Sequence, residues 1–414
     1  MCIRDSHTGN VTFSNVIAGG KSLTKQGSGT LTLSADNTYS GGTTVSAGTL
    51  QIGSGGTSGS VTGDIVNNAN VTFNRSDAHT YSGVMSGTGT VTKLASNTLT
   101  FDGDNTYTGD TTVSAGTLQI GAGGTSGSVA GNIISNSNVT FSRSDTHIYA
   151  GVISGTGSLT NDGGFFRLTN DNTYTGSTIL TSGQIQIGAP GGSTGSIASQ
   201  SILFNGGNFA FRRDGDITYS GIMSGSGSFD AYGSGTLTLT GNSTRSGNNF
   251  FGGTRTIKLT HGNALGTGQV TIKDGGSLVL SGGITASSGR LSLEGTGATG
   301  INGALFSEAG DNVYGGSVRL ITTANVEIGV DSGSTLTING GISESGARSL
   351  TKSDDGTLTL AGSSTFSGGT TVSAGTLQIG AGGTSGSVTG NIVNNANVTF
   401  NRSDAHTYLS IIHI

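Results

Sequence analysis

One unit of 67–68 residues, read three times in succession and again near the end, decides what this chain can become. Asn37, Asn105 and Asn172 each open the same Asn-Thr-Tyr triplet. The second half of the unit keeps phase with the first. Val71-Thr-Phe73-Asn-Arg75-Ser-Asp77 returns as Val139-Thr-Phe141-Ser-Arg143-Ser-Asp145, and as Val398-Thr-Phe400-Asn-Arg402-Ser-Asp404. A looser copy is Phe209-Ala-Phe211-Arg-Arg213-Asp214. Ser40–Tyr81 and Ser367–Tyr408 agree at 40 of 42 positions, a mark of recent duplication. A fixed internal period of this kind belongs to stacked repeats, in which each unit buries its apolar face against the next.

Within the unit the apolar residues alternate with hydroxyls, as in Thr30-Leu-Thr-Leu33, Thr49-Leu-Gln-Ile52 and Asn70-Val-Thr-Phe73. Period two means strands with one buried face. Gly, Asn, Ser and Asp recur at intervals of roughly 8–12 residues and read as turns. The expected fold is all-β, a single-stranded parallel β-helix (β-solenoid). A unit of about 68 residues divides into three coils of about 22, hence about 18 coils for the chain, 85–90 Å long at about 4.8 Å per coil. Leu31, Leu33, Leu50, Ile52, Val71 and Phe73 should point inward. So should Leu99, Phe101, Leu118, Ile120, Val139 and Phe141, each stacked in line with its counterpart three coils away.

Composition narrows the function classes. The 77 glycines and single proline have no G-X-Y period, and charged residues are only 10%. A disordered chain with so few apolar residues usually carries more charge. The net charge is −5, without a basic cluster for nucleic acid. No run of apolar residues is long enough for a membrane helix. Cys2 is alone and cannot form an internal disulfide.

The units fall at about 27–94, 95–161 and 162–232, diverge over 233–355 and resume at 356–408. Residues 7–408 are expected to form one continuous β-helix. Residues 1–6 and 409–414 fall outside the repeat and resemble translations of a sequencing-library adapter. They are expected to be non-native tails, with Cys2 among them and the chain an internal fragment.

Gly29-Thr-Leu-Thr-Leu33, Asn37-Thr-Tyr-Ser-Gly41 and Gly48-Thr-Leu50 together resemble the autotransporter-associated β-strand repeat, also called the passenger-associated transport repeat. Asn263–Ile272 is similar to another coil of the same passengers. The resemblance implies a right-handed parallel β-helix, exported across the outer membrane of a Gram-negative bacterium and displayed at the cell surface. There it would act as stalk or adhesin, with repeats that support secretion-coupled folding. The implied partners are the protein's own C-terminal β-barrel translocator and the outer-membrane assembly machinery. Surface glycans and self-association are further expectations; nucleic acid is not. The alternatives are a β-helical polysaccharide hydrolase or lyase, and a phage or exopolymer fibre.

No residue set reads as catalytic, cofactor-binding or metal-binding. His79, His147 and His406 share one repeat position, and coils apart they cannot meet on one zinc, whose nitrogen ligands lie about 2 Å from the ion. They are expected on turns or the exposed face. Asp102/Asp104, Asp214/Asp216 and Asp354/Asp355 read as solvated turns. The only glutamates, Glu294, Glu308, Glu327 and Glu344, lie outside the regular repeat and are the carboxylates an enzyme reading would need. Gly20-Lys-Ser22 lacks the first glycine of a phosphate loop, and Gly121–Gly127 lacks the third glycine of a dinucleotide fingerprint. Glycines there are expected to supply positive φ at a corner.

Overall fold

The computed structural model describes residues 3–321 and 325–413. Among these residues there are strands and turns but no helix, and the paired strands run parallel. The chain forms β-solenoid turns gathered into two compact units. One comprises 1–188 with 194–200, the other 189–193 with 201–414.

In the first unit the turns close over three faces, each built by strands one turn apart. On one face Leu23 pairs with Thr43, Thr43 with Ile65 and Ile65 with Met85. On the next, Leu31 pairs with Leu50, Leu50 with Val71 and Val71 with Val91. On the third, His79 pairs with Leu99, Leu99 with Leu118 and Leu118 with Val139. The alternating apolar residues fill the interior. Leu33, Leu50, Ile52, Val71, Phe101, Leu118, Ile120 and Val139 are fully buried, and Leu31, Phe73, Leu99 and Phe141 nearly so. The inward set is therefore as the alternation indicates.

The stacking of copies is not. Three turns from Leu31 arrive at Val91, 60 residues on and 8 short of the copy Leu99. Leu99 stands on the neighbouring face, paired with His79 and Leu118. A turn takes 19–22 residues along these columns, and the repeat spans three turns and one further face. The physical reason lies in segments that occupy a face without forming a strand. Around Asp36–Asn37, and again around Thr57–Ser60, the chain fills a face with a loop, joined by the single bridge of Asp36 to Ser60. Those loops add to the face count but not to the alternation. Each copy is thus turned by one face. Thr43, Thr111 and Thr178 stand on three successive faces, paired with Leu23, Val91 and Leu159 respectively.

The second unit has the same parallel construction with more irregular turns. Phe209, Phe229 and Asn249 are successive partners at 20-residue steps, whereas Leu278 and Leu305, or Leu291 and Val318, are 27 apart. Of the terminal segments, Ile3–Asp5 pairs with Leu23–Lys25, and Ile412–His413 with Ile392–Val393. Met1, Cys2 and Ile414 lie outside the described residues.

Candidate functional site

The polar residues that mark the repeat are mostly turned inward. Asn105 is 1% exposed. Its Oδ1 accepts the Met85 N–H at 2.8 Å, and its Nδ2 donates to the carbonyls of Gly103 and Ser128 at 2.9 and 3.0 Å. One amide thus ties three turns together at a corner whose backbone groups have no sheet partner. Asn37 and Asn172 repeat the arrangement, accepting from Ile17 and Ile153. In diverged units Ser243 and Ser364 take the place and keep only the acceptor, for Met223 and Ile342.

The tyrosine of the triplet shares a hydrogen with the threonine four residues on: Tyr39 with Thr43, Tyr107 with Thr111 and Tyr174 with Thr178, at 2.6–2.7 Å. At the corresponding place in the echo at 233–247 the pair becomes Arg245 and Asn249, which remain hydrogen-bonded. Arg245 is fully buried, with its guanidinium 5.2 Å from the Phe204 ring centre and donating to the carbonyls of Gly227 and Gly247. Burial lowers its pKa to about 10.

A second cluster holds the glycine loop. Arg75 forks onto Asp77 through Nε and Nη2 at 2.9 and 2.8 Å. It also reaches Asp36 at 3.1 Å and the carbonyls of Gly59 and Thr57. Arg143 does the same with Asp145, Asp104, Gly127 and Thr125. The hydrogen-bonded guanidinium holds the carboxyls of Asp77 and Asp145 below the usual range. Gly59 closes the loop at φ +103°, where a Cβ would fall 2.4 Å from the Gly53 Cα. Gly121, Gly123 and Gly127 all have positive φ, as the corner reading requires.

His79 and His147 are not on the exposed face. They lie half-buried in strands His79–Tyr81 and Thr146–Tyr149, and burial together with the adjacent arginine lowers their pKa. His147 lies parallel to Phe166 at 5.9 Å. Alternation here places the tyrosine, not the histidine, fully inside.

Sequence reasoning missed the buried lysines. Lys25, Lys93 and Lys352 share one repeat position and are at most 1% exposed. Lys93 Nζ donates to the carbonyls of Ala95 and Ala115 and to Asn97 Oδ1. Lys352 donates to the carbonyls of Ser353, Asp354 and Ala374. Asn161 substitutes in the third unit, donating to Gly163 and Ser182. The signal was parity: Leu23 and Lys25, like Val91 and Lys93, sit two apart on an alternating strand.

The acidic candidates do not converge. Glu294 pairs with Lys273 at 2.9 Å and Glu308 with Lys258 at 2.5 Å, while Glu344 takes the Ser367 and Arg348 N–H groups. Glu327 contributes its backbone carbonyl to Ala304. Asp102 accepts from Ser126, and Asp104 is exposed beside Arg143. Asp214 and Asp216 take the N–H groups of Ser234 and Thr236. Asp354 adopts φ +61° and accepts from Asn302. Among the described residues no three His, Cys, Asp or Glu side chains are grouped to hold a metal ion.

Parallel turns, apolar ladders and polar staples repeated at every corner define a β-solenoid repeat protein. The sequence profile of the passenger-associated transport repeat matches residues 23–52, 91–120, 161–187 and 350–379. The recurrent unit of this chain is that repeat. Each match opens at the position of Lys25, Lys93, Asn161 or Lys352 and ends at the inward isoleucine Ile52, Ile120, Ile187 or Ile379. The chain is also similar to the adhesin BmaC autotransporter of Brucella suis biovar 1 (strain 1330), 36% identical over 176 residues. That similarity covers 36% of this chain and 5% of the relative. No solved structure matches.

Proposed function

We propose that the chain is a portion of a secreted, surface-displayed autotransporter passenger, serving as stalk and adhesive body and not as an enzyme. The observation that carries this reading is where the polar residues go. Asparagine, lysine and arginine of the repeat are spent on backbone groups of neighbouring turns, so the conserved-looking chemistry within the chain is the chemistry of stacking. An active site needs unlike groups converging within hydrogen-bond reach. The four glutamates instead stand apart, three of them engaged with a lysine or with backbone N–H groups. The expected partners are a β-barrel translocator in the longer protein and the outer-membrane assembly machinery, with glycans or like chains as targets. Display of the chain ahead of an autotransporter barrel in a Gram-negative host tests this. Protease-accessible chain on intact cells, with increased attachment to host cells, is the expected result. Turnover of a polysaccharide panel, abolished by Glu294→Gln, Glu308→Gln, Glu327→Gln or Glu344→Gln, would overturn it.

A further inference from the structure

On the outer surface of the second unit, five strands lie side by side: Ile217–Tyr219, Ser234–Leu239, Thr254–Leu259, Ser277–Ser281 and Leu305–Ala309. Their inward residues, such as Leu237, Ile257, Leu278 and Leu305, are fully buried. The outward column between them runs Thr218, Thr238, Lys258, Val279, Phe306 by direct strand pairing. Elsewhere this outward position carries Thr or Gln, as at Thr32, Gln51 and Thr72 of successive turns. Here two apolar residues replace them at one end of the column, and Val279 is 2% exposed although it faces outward. These side chains, with Ile301, line a groove of about 340 Å³. That volume is at the lower end of the range for small-ligand sites.

We propose that this groove binds a neutral oligosaccharide, a reading that rests on the adhesive role above and assigns it a site. The lining has the two properties a sugar ring requires. Phe306 is partly exposed and offers an apolar face for the C–H side of a ring, while Thr218, Thr236 and Thr238 offer hydroxyls to its rim. Its single cation, Lys258, is matched by Glu308 at 2.5 Å, and Asp216 adds a further negative charge. That balance disfavours sulfated or uronic polymers. The backbone beneath is already paired on both sides along the inner strands, so an extended peptide finds no free edge to join. The column crosses five strands at about 4.8 Å each, giving a track of roughly 19 Å that suits a short chain of sugar units.

The test uses the whole chain, titrated with cellohexaose, mannohexaose, maltohexaose and, for contrast, chondroitin sulfate, and followed by calorimetry. Phe306→Ala removes the platform, and Thr238→Arg fills the track from a half-buried outward position. Binding of at least one neutral hexasaccharide, weakened about tenfold or more by both variants at unchanged melting temperature, is expected. No binding of any neutral hexasaccharide, binding indifferent to both variants, or preference for chondroitin sulfate would overturn the proposal. Attachment of chain-coated beads to host cells is measured in parallel. Attachment indifferent to both variants, with no saccharide bound, removes the groove and leaves the adhesive role. Groove-dependent saccharide binding without attachment does the reverse.

Discussion

Replacing Asn105 should open the solenoid at one corner, by an amount that depends on which half of the amide is lost. Asn105→Ala strands the Met85 N–H inside the fold and removes two donors from the carbonyls of Gly103 and Ser128. A buried donor left unpaired costs about 1–3 kcal/mol, and each ordinary hydrogen bond lost about 0.5–1.5 kcal/mol. Ser128 still accepts from the Asn105 backbone N–H at 3.1 Å, so its carbonyl is not orphaned. The sum is about 2–5 kcal/mol. Asn105→Ser should cost less, about 1–2 kcal/mol, because Ser243 and Ser364 accept the equivalent N–H at 3.0 and 3.2 Å in this same chain. Hydrogen exchange read by mass spectrometry separates the cases. Amides within about one turn of residues 85–128 should lose protection first, in the order Ala, then Ser, then wild type, while amides several turns away keep theirs. Equal loss for both variants, or uniform loss along the chain, would refute the staple as the unit of stability.

Two further outcomes follow from buried groups. Burial lowers Lys93 and Lys352 to a pKa of about 8, against about 10.4 for an unfolded lysine. Below pH 8 both states carry the charge, and the penalty for burying it is at its fullest. Between about 8 and 10.4 the unfolded chain holds more protons, so stability should rise with pH and then level off. Denaturant midpoints across that range should show the rise, with a shallower slope in Lys93→Met; a flat or falling curve refutes it. Separately, Phe366 occupies the place of Tyr39, and the buried Thr370 Oγ1 has no hydrogen-bond partner. Phe366→Tyr should restore the pair and raise stability by about 1 kcal/mol in denaturant melts; an unchanged midpoint refutes it.

How much of this was legible in the sequence depended on whether a residue's role was written in alternation. Leu31, Leu50, Val71 and their copies were, because period two assigns a face without reference to neighbours. The turn length was not. Asp36–Asn37 and Thr57–Ser60 fill faces as loops, and a strand pattern cannot count a face that has no strand. Lys25, Lys93 and Arg75 were misjudged for another reason. Charge suggests solvent, yet a long side chain can carry its donors across the interior to corner carbonyls, and only parity hinted at this. The histidines erred the opposite way: a polar residue near a turn looked exposed until Phe141 and Phe166 were seen to flank His147. The groove of the second unit was invisible because Val279 and Phe306 come together only through the 27-residue turn that sets them side by side.

The one-face offset between copies bears on how such a chain changes when its gene gains or loses a repeat. Thr43, Thr111 and Thr178 already look out in three directions, about a third of a revolution apart. Inserting one unit would therefore do more than lengthen the solenoid. It would swing everything beyond the insertion through a third of a revolution, and a patch that had faced a receptor would face away. Only multiples of three units would restore the original heading. Repeat number in such chains thus becomes an angular setting as well as a measure of reach, and unequal recombination can re-aim a surface without altering a single residue in it.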